Sequence, residues 1–165
     1  MKMRCLCLLF ALIMLGSCLN TESNGQLDEK RAVNNATNLY LTAVASLYGN
    51  IGGVQDGEGL QGTYRGVYDY NTFTTDEAMI PIRGGNWYDG GFWQNLYLHK
   101  WTAADPELYG MWNYLFRSVM LCNHSLEMLE RNKHLLTNQQ MRAYTSEVRA
   151  IRALFYYQLM DLFGC

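Results

Sequence analysis

Apolar residues recur at three- and four-residue intervals in three stretches of the chain, a spacing that predicts amphipathic helices. The first helix is predicted from about Arg31 to Tyr48. Ala36, Leu39, Tyr40, Ala43 and Leu47 form its stripe, and Gly49 is its expected stop. The second opens at Asp105-Pro106-Glu107: a capping residue, a proline suited to the first helical position and an acid in the first turn. Leu108, Trp112, Leu115, Phe116, Val119, Leu126 and Leu129 make its expected buried stripe, which ends near Arg131 and Asn132. The third begins with a capping box, Thr137-Asn138-Gln139-Gln140. Met141, Tyr144, Val148, Ile151, Phe155, Leu159 and Leu162 then keep the period to Phe163, with Gly164 beyond. The short link between the second and third helices predicts an antiparallel hairpin.

Between Asn50 and Trp101 the periodicity fails. Glycines are interleaved there with ten aromatic residues, among them Tyr64, Tyr68, Trp87, Tyr88 and Trp93. No helix or strand period persists, so the stretch reads as a long loop, a kind of segment that is usually functional when it interrupts a compact domain.

The first residues follow a different pattern. Lys2 and Arg4 precede an apolar run from Cys5 to Leu15, and Leu15-Gly16-Ser17-Cys18 closes it. Charge, apolar run and small residues in that order describe a secretory signal, too short for a comfortable membrane span. Small residues before a cysteine resemble the bacterial lipobox. That resemblance implies removal of residues 1–17, lipidation of Cys18 and a domain anchored to a membrane through several acyl chains. Residues 18–30, polar and acidic, read as a flexible tether, and residues 31–165 as the helical domain.

Net charge is −2, and no basic stripe offers itself to nucleic acid. Cys5 and Cys7 fall in the signal and Cys18 at the anchor. Cys122 and Cys165 remain, which make no disulfide framework. His99, His124 and His134 stand apart in sequence, so structural roles are expected for them. No metal, phosphate-loop or catalytic-triad pattern is visible, and no cofactor is expected.

Several of these features together resemble the SusD/RagB family of glycan-binding lipoproteins of Bacteroidota. The lipobox ends at Cys18, and Thr75-Asp76-Glu77 follows an aromatic stretch containing Tyr64-Arg65. Trp112-Asn113-Tyr114-Leu115-Phe116-Arg117 leads to Cys122-Asn123. The stretch from Glu147 through Arg152-Ala153 and Tyr156 to Phe163-Gly164 is similar to the family's Glu-Ala-x-x-x-Arg-Ala signature, although Ala does not directly follow Glu147. The resemblance implies an all-α, tetratricopeptide-like scaffold with a loop-rich binding face. It implies a lipid-anchored location on the outer membrane, exposed at the cell surface. A TonB-dependent SusC-like transporter is the implied partner, and capture of an oligosaccharide or peptide without catalysis the implied role. Family members are longer, and the stripe of the third helix asks for more apolar partners than the chain supplies, so the sequence reads as the N-terminal part of such a protein.

Sugars present C–H faces and hydroxyl edges. The segment Arg83-Gly84-Gly85-Asn86-Trp87-Tyr88-Asp89 offers rings for the faces and polar groups for the edges. Trp87 and Tyr88 are the expected stacking platforms, with Arg83, Asn86 and Asp89 as edge contacts; the competing role for either ring is to anchor the loop. The resemblance adds Arg65, for which a salt bridge to Asp76 or Glu77 is the alternative. A polysaccharide hydrolase would need two carboxylates about 5–10 Å apart. Adjacent Asp76 and Glu77 point to opposite faces of an extended segment, so no enzyme is expected. A structural helical-repeat lipoprotein of the envelope is the remaining alternative.

Overall fold

Hydrogen bonding at the helix ends explains where the elements begin and stop. The computed structural model describes residues 32–52, 59–60, 66–84 and 88–164, all within one unit, Ala32–Cys165. These residues are mostly helical. In chain order they form α1 (Ala36–Tyr40), a π-helical turn (Leu41–Ala45), α2 (Ser46–Ile51) and α3 (Val67–Phe73). A 3-10 turn (Asp89–Gly91) then leads into α4 (Phe92–Tyr97), followed by α5 (Pro106–Arg131), a second 3-10 turn (Lys133–Leu135) and α6 (Asn138–Phe163).

The first predicted helix is displaced at both ends. It starts at Ala36, not near Arg31, because Asn35 is extended and its carboxamide accepts the Asn38 N–H at 2.9 Å. It passes through Gly49 and ends at Ile51, with Gly52 as the cap. The last carbonyls of a helix lack internal donors. Here the buried Tyr114 hydroxyl donates to the Asn50 carbonyl at 2.7 Å and reaches that of Ile51 at 3.3 Å. That contact from α5 holds the final turn closed beyond the glycine.

The hairpin of α5 and α6 forms the centre of the unit. Trp112 meets Phe163, Tyr114 meets Phe155, and Asn123 meets Arg152, so the two helices run antiparallel. Asp105 and Pro106 stand at the start of α5, and Asn132 caps its end. The Asp105 carboxylate accepts the Thr102 N–H at 2.7 Å and fixes the approach to the helix. The capping box forms in both directions at α6: Gln140 N–H to the Thr137 hydroxyl at 3.2 Å, and Thr137 N–H to the Gln140 side-chain Oε1 at 2.9 Å.

The buried stripe of α6 contains Val148, Ile151, Phe155 and Leu159, as its period predicts. That of α5 is rotated from expectation. Met111, Tyr114, Leu115, Ser118, Val119, Cys122, Ser125, Met128 and Leu129 are buried, while Trp112 and Phe116 are 42 % and 43 % exposed. Small and weakly polar residues hold the contact line. The Ser118 hydroxyl donates to the Tyr114 carbonyl and accepts from the Asn50 amide, so its burial leaves no group unpaired. Apolar counting skips such positions. Phe155 and Leu159 are covered; the apolar exposure of α6 falls on Leu154, Tyr156, Tyr157 and Met160.

The stretch expected to be one long loop contains α3 and α4, which pack through rings. Phe73 meets Trp93 edge-on at 5.1 Å, and Tyr70 meets Phe92 at 6.3 Å. The aromatic residues that hid the helical period therefore supply its packing.

Candidate functional site

Three of the six residues expected to touch ligand are described. Arg83, Tyr88 and Asp89 are all exposed. Asp89, Gly90 and Gly91 follow one another with φ of 45°, 65° and 86°. Left-handed backbone is costly for a residue with a Cβ, though Asp tolerates it better than most. This tight turn is closed by the Gly91 N–H donating to the Tyr88 carbonyl at 2.7 Å. It sets the Tyr88 ring on the surface immediately before α4, whose Trp93 and Leu96 are buried. A second tie comes from Gln94, whose amide donates to the Ile80 carbonyl at 3.0 Å. Arg65, Asn86 and Trp87 lie outside the described residues, as does Cys18.

Asp76 and Glu77 are exposed. The turn they occupy is fixed by Thr75, whose hydroxyl donates to the Thr72 carbonyl and accepts the Glu77 N–H.

A groove of about 580 Å³ opens between α3, the segment at Trp101, the start of α5 and the end of α6. Trp101, Tyr109 and Trp112 are 40 %, 63 % and 42 % exposed on its walls. The Trp112 indole packs on Phe116 and edge-on against Phe163 at 5.2 Å, which fixes its plane. Trp101 is positioned by His99, a residue at φ 53° whose ring lies 5.1 Å away. His99 Nε2 stands 2.7 Å from the Thr74 carbonyl. A carbonyl only accepts, so Nε2 carries the proton. Across the groove, the Asn71 amide approaches the Asp161 carboxylate at 3.4 Å and links α3 to α6.

None of these groove residues follows from helical periodicity as a site. Trp112 was expected in the core. Tyr109 and Trp112 are three residues apart on α5 and lie outside its buried stripe, Trp112 at its flank against Phe163. Trp101 precedes the cap at Asp105, and that juxtaposition is the one sequence signal that the rings gather near a helix start.

A second hollow of about 500 Å³ lies between α2 and α5, with Ser46, Asn50 and His124 on its wall. The Asn50 amide nitrogen donates to Ser118, and its side-chain oxygen is buried without a hydrogen-bond partner.

Glu147 accepts two phenol hydroxyls on one oxygen: Tyr48 at 2.6 Å and Tyr40 at 3.2 Å. Burial, followed by the Glu147 charge, raises the Tyr40 pKa above its ordinary value; the hydrogen bond to Glu147 leads the same rise at Tyr48. Burial pushes the Cys122 thiol up to about 11, against a smaller opposing pull from the Arg152 guanidinium. Arg152 itself donates to Asn123 Oδ1 at 2.6 Å. Among the described residues no three His, Cys, Asp or Glu side chains gather as a metal site requires.

Comparison of the chain with family models, curated proteins and solved structures finds no significant match to any of them.

Proposed function

We propose that this chain is a lipid-anchored protein of the outer membrane that captures oligosaccharides at the cell surface for import by a TonB-dependent, SusC-like transporter. Its scaffold in this reading is tetratricopeptide-like, with the α5–α6 hairpin as the repeat unit. It binds without hydrolysing, and Trp87 and Tyr88 stack on sugar faces while Arg65, Arg83, Asn86 and Asp89 reach hydroxyl edges. The sequence supports the reading through the lipobox at Cys18 and the SusD-like motifs.

The structural observation that carries it is the left-handed turn at Asp89–Gly91, which holds exposed Tyr88 beside exposed Asp89. Strained backbone of this kind gathers at ligand clamps.

Calorimetric titration of the full chain with maltohexaose, mannohexaose and xylohexaose tests it. Trp87→Ala is expected to remove about 1–3 kcal/mol of binding, the scale of an aromatic contact at a binding hot spot, with the melting temperature unchanged. Unchanged affinity with a lowered melting temperature would make Trp87 a loop anchor.

A structural role in the envelope is favoured by a different observation. Trp112, Phe116 and Met120 recur every four residues on α5, and Tyr156 and Met160 do so on α6; all five are exposed. Such a face suits protein contacts. Co-purification of an envelope protein by a chain that binds none of the saccharides would support that role instead.

A further inference from the structure

We propose that the groove between α3, Trp101, the start of α5 and the end of α6 is a second saccharide site, selective for neutral over anionic sugars. This rests on the glycan-binding reading but concerns a surface separate from the Arg83–Asp89 loop.

Size comes first. About 580 Å³ lies within the range of about 300–1,000 Å³ typical of small-molecule clefts. The walls are of two kinds. Trp101, Tyr109 and Trp112 present partly exposed rings, and Asn71, Thr102 and Asp161 present polar side chains. A purely apolar occupant would cover those polar groups and leave them without partners, which is costly. A sugar meets both demands. Its C–H faces lie on ring faces, which carry the negative side of the aromatic quadrupole. Its hydroxyls donate to the Asp161 carboxylate, which has acceptor capacity beyond its contact with Asn71.

Trp101 and Trp112 are held before any ligand arrives. Phe116 and Phe163 fix Trp112, and the His99 bond to the Thr74 carbonyl fixes the ring beside Trp101. Preorganised rings spare the ligand the cost of ordering them.

Charge sets the selectivity. Among the described residues on the groove wall, Asp161 is the one charged side chain. A uronic or sulfated sugar would set an anion beside it with no cation of the wall to offset the repulsion, and like charges brought together are disfavoured.

The test is titration of the full chain, in detergent, with maltohexaose, mannohexaose, xylohexaose and hexagalacturonate, with choline chloride as a competing cation. At least one neutral hexaose is expected to bind at least tenfold more tightly than hexagalacturonate. Trp101→Ala should weaken that binding at least tenfold, and Trp101→Phe, which keeps a ring, less than about threefold. Asp161→Asn should narrow the gap between neutral and anionic sugar. Leu41→Ala, on the exposed side of the π-helical turn, should change affinity less than twofold. Far-UV circular dichroism establishes that each variant is folded.

Binding that survives Trp101→Ala but is lost in Trp87→Ala would overturn the groove and leave the glycan reading standing. Preference for hexagalacturonate, or displacement of sugar by choline, would overturn the assignment of a neutral ligand. A folded chain that binds none of the four saccharides would overturn both.

Discussion

At the scale of single residues, burial and hydrogen bonding decide which reactive groups are available. Cys122 is fully buried, with its thiol pKa pushed up to about 11. The thiolate is the reactive form, so Cys122 should resist iodoacetamide at pH 8 and react once the chain is unfolded in guanidinium. Peptide mapping by mass spectrometry reads both states, and labelling of the native chain at Cys122 would show that α5 and α6 open readily. Tyr40 and Tyr48 give a pH signature of opposite consequence to an acid-sensitive pair. Both phenols hold their protons more tightly when folded. Between the unfolded value of about 10 and the higher folded values, the unfolded chain binds fewer protons, so stability falls as pH rises. The contribution is complete below about pH 10. Urea unfolding from pH 8 to 11 should show this decline, and Tyr48→Phe should make it shallower. An equal slope in the variant would mean that Glu147 does not couple to the phenol.

At the scale of elements, the π-helical turn is what lets one carboxylate serve two tyrosines. Residues eight apart on a regular α-helix stand about 80° apart around the axis. The extra residue of a π turn returns them to nearly the same face, and Tyr40 and Tyr48 flank Leu41–Ala45. Glu147 therefore joins α1 and α2 to α6. The capping box of α6 was fully legible in the sequence, because its chemistry is local. Thr137→Ala should cost about 1 kcal/mol, lowering the melting temperature by about 3 °C in a domain of this size; scanning calorimetry measures it. The π turn was not legible, since it answers to partners about a hundred positions away in the chain. The end of α2 was missed for the same reason: Gly49 reads as a stop until the Tyr114 hydroxyl is seen on the last carbonyls. The α5 stripe was read rightly at Leu115, Val119 and Leu129 but set off-centre, because Ser118, Cys122 and Ser125 hold its middle while Trp112 and Phe116 are turned outward. In α6, where large apolar residues alone form the stripe, the period gave the right face.

At the scale of the molecule, the helical class and the hairpin were legible, and the groove was not. It gathers Asn71, Trp101, Trp112 and Asp161 from three helices and a connecting segment, a convergence that only tertiary packing creates. The pairing of Trp112 with Phe163 and of Asn123 with Arg152 puts the exposed Phe116, Met120, Tyr156 and Met160 on one side of the hairpin. Exposed apolar faces promote association. The chain should bind a hydrophobic dye and sediment as larger species at higher concentration, and Met120→Lys with Met160→Lys should suppress both. A monomer without dye binding would show that this face is too dispersed to matter. Anchoring at Cys18 is tested separately by mass spectrometry of the membrane fraction: an acylated N-terminal cysteine is expected, and a Cys18→Ala chain that remains membrane-bound would contradict it. The central claim is capture of glycan without cleavage. Affinity electrophoresis of the native chain through gels containing amylopectin, xylan or galactomannan tests it most directly. The account predicts retarded migration in at least one gel with no release of reducing sugar. Unretarded migration in all three, or retardation accompanied by released sugar, would contradict it.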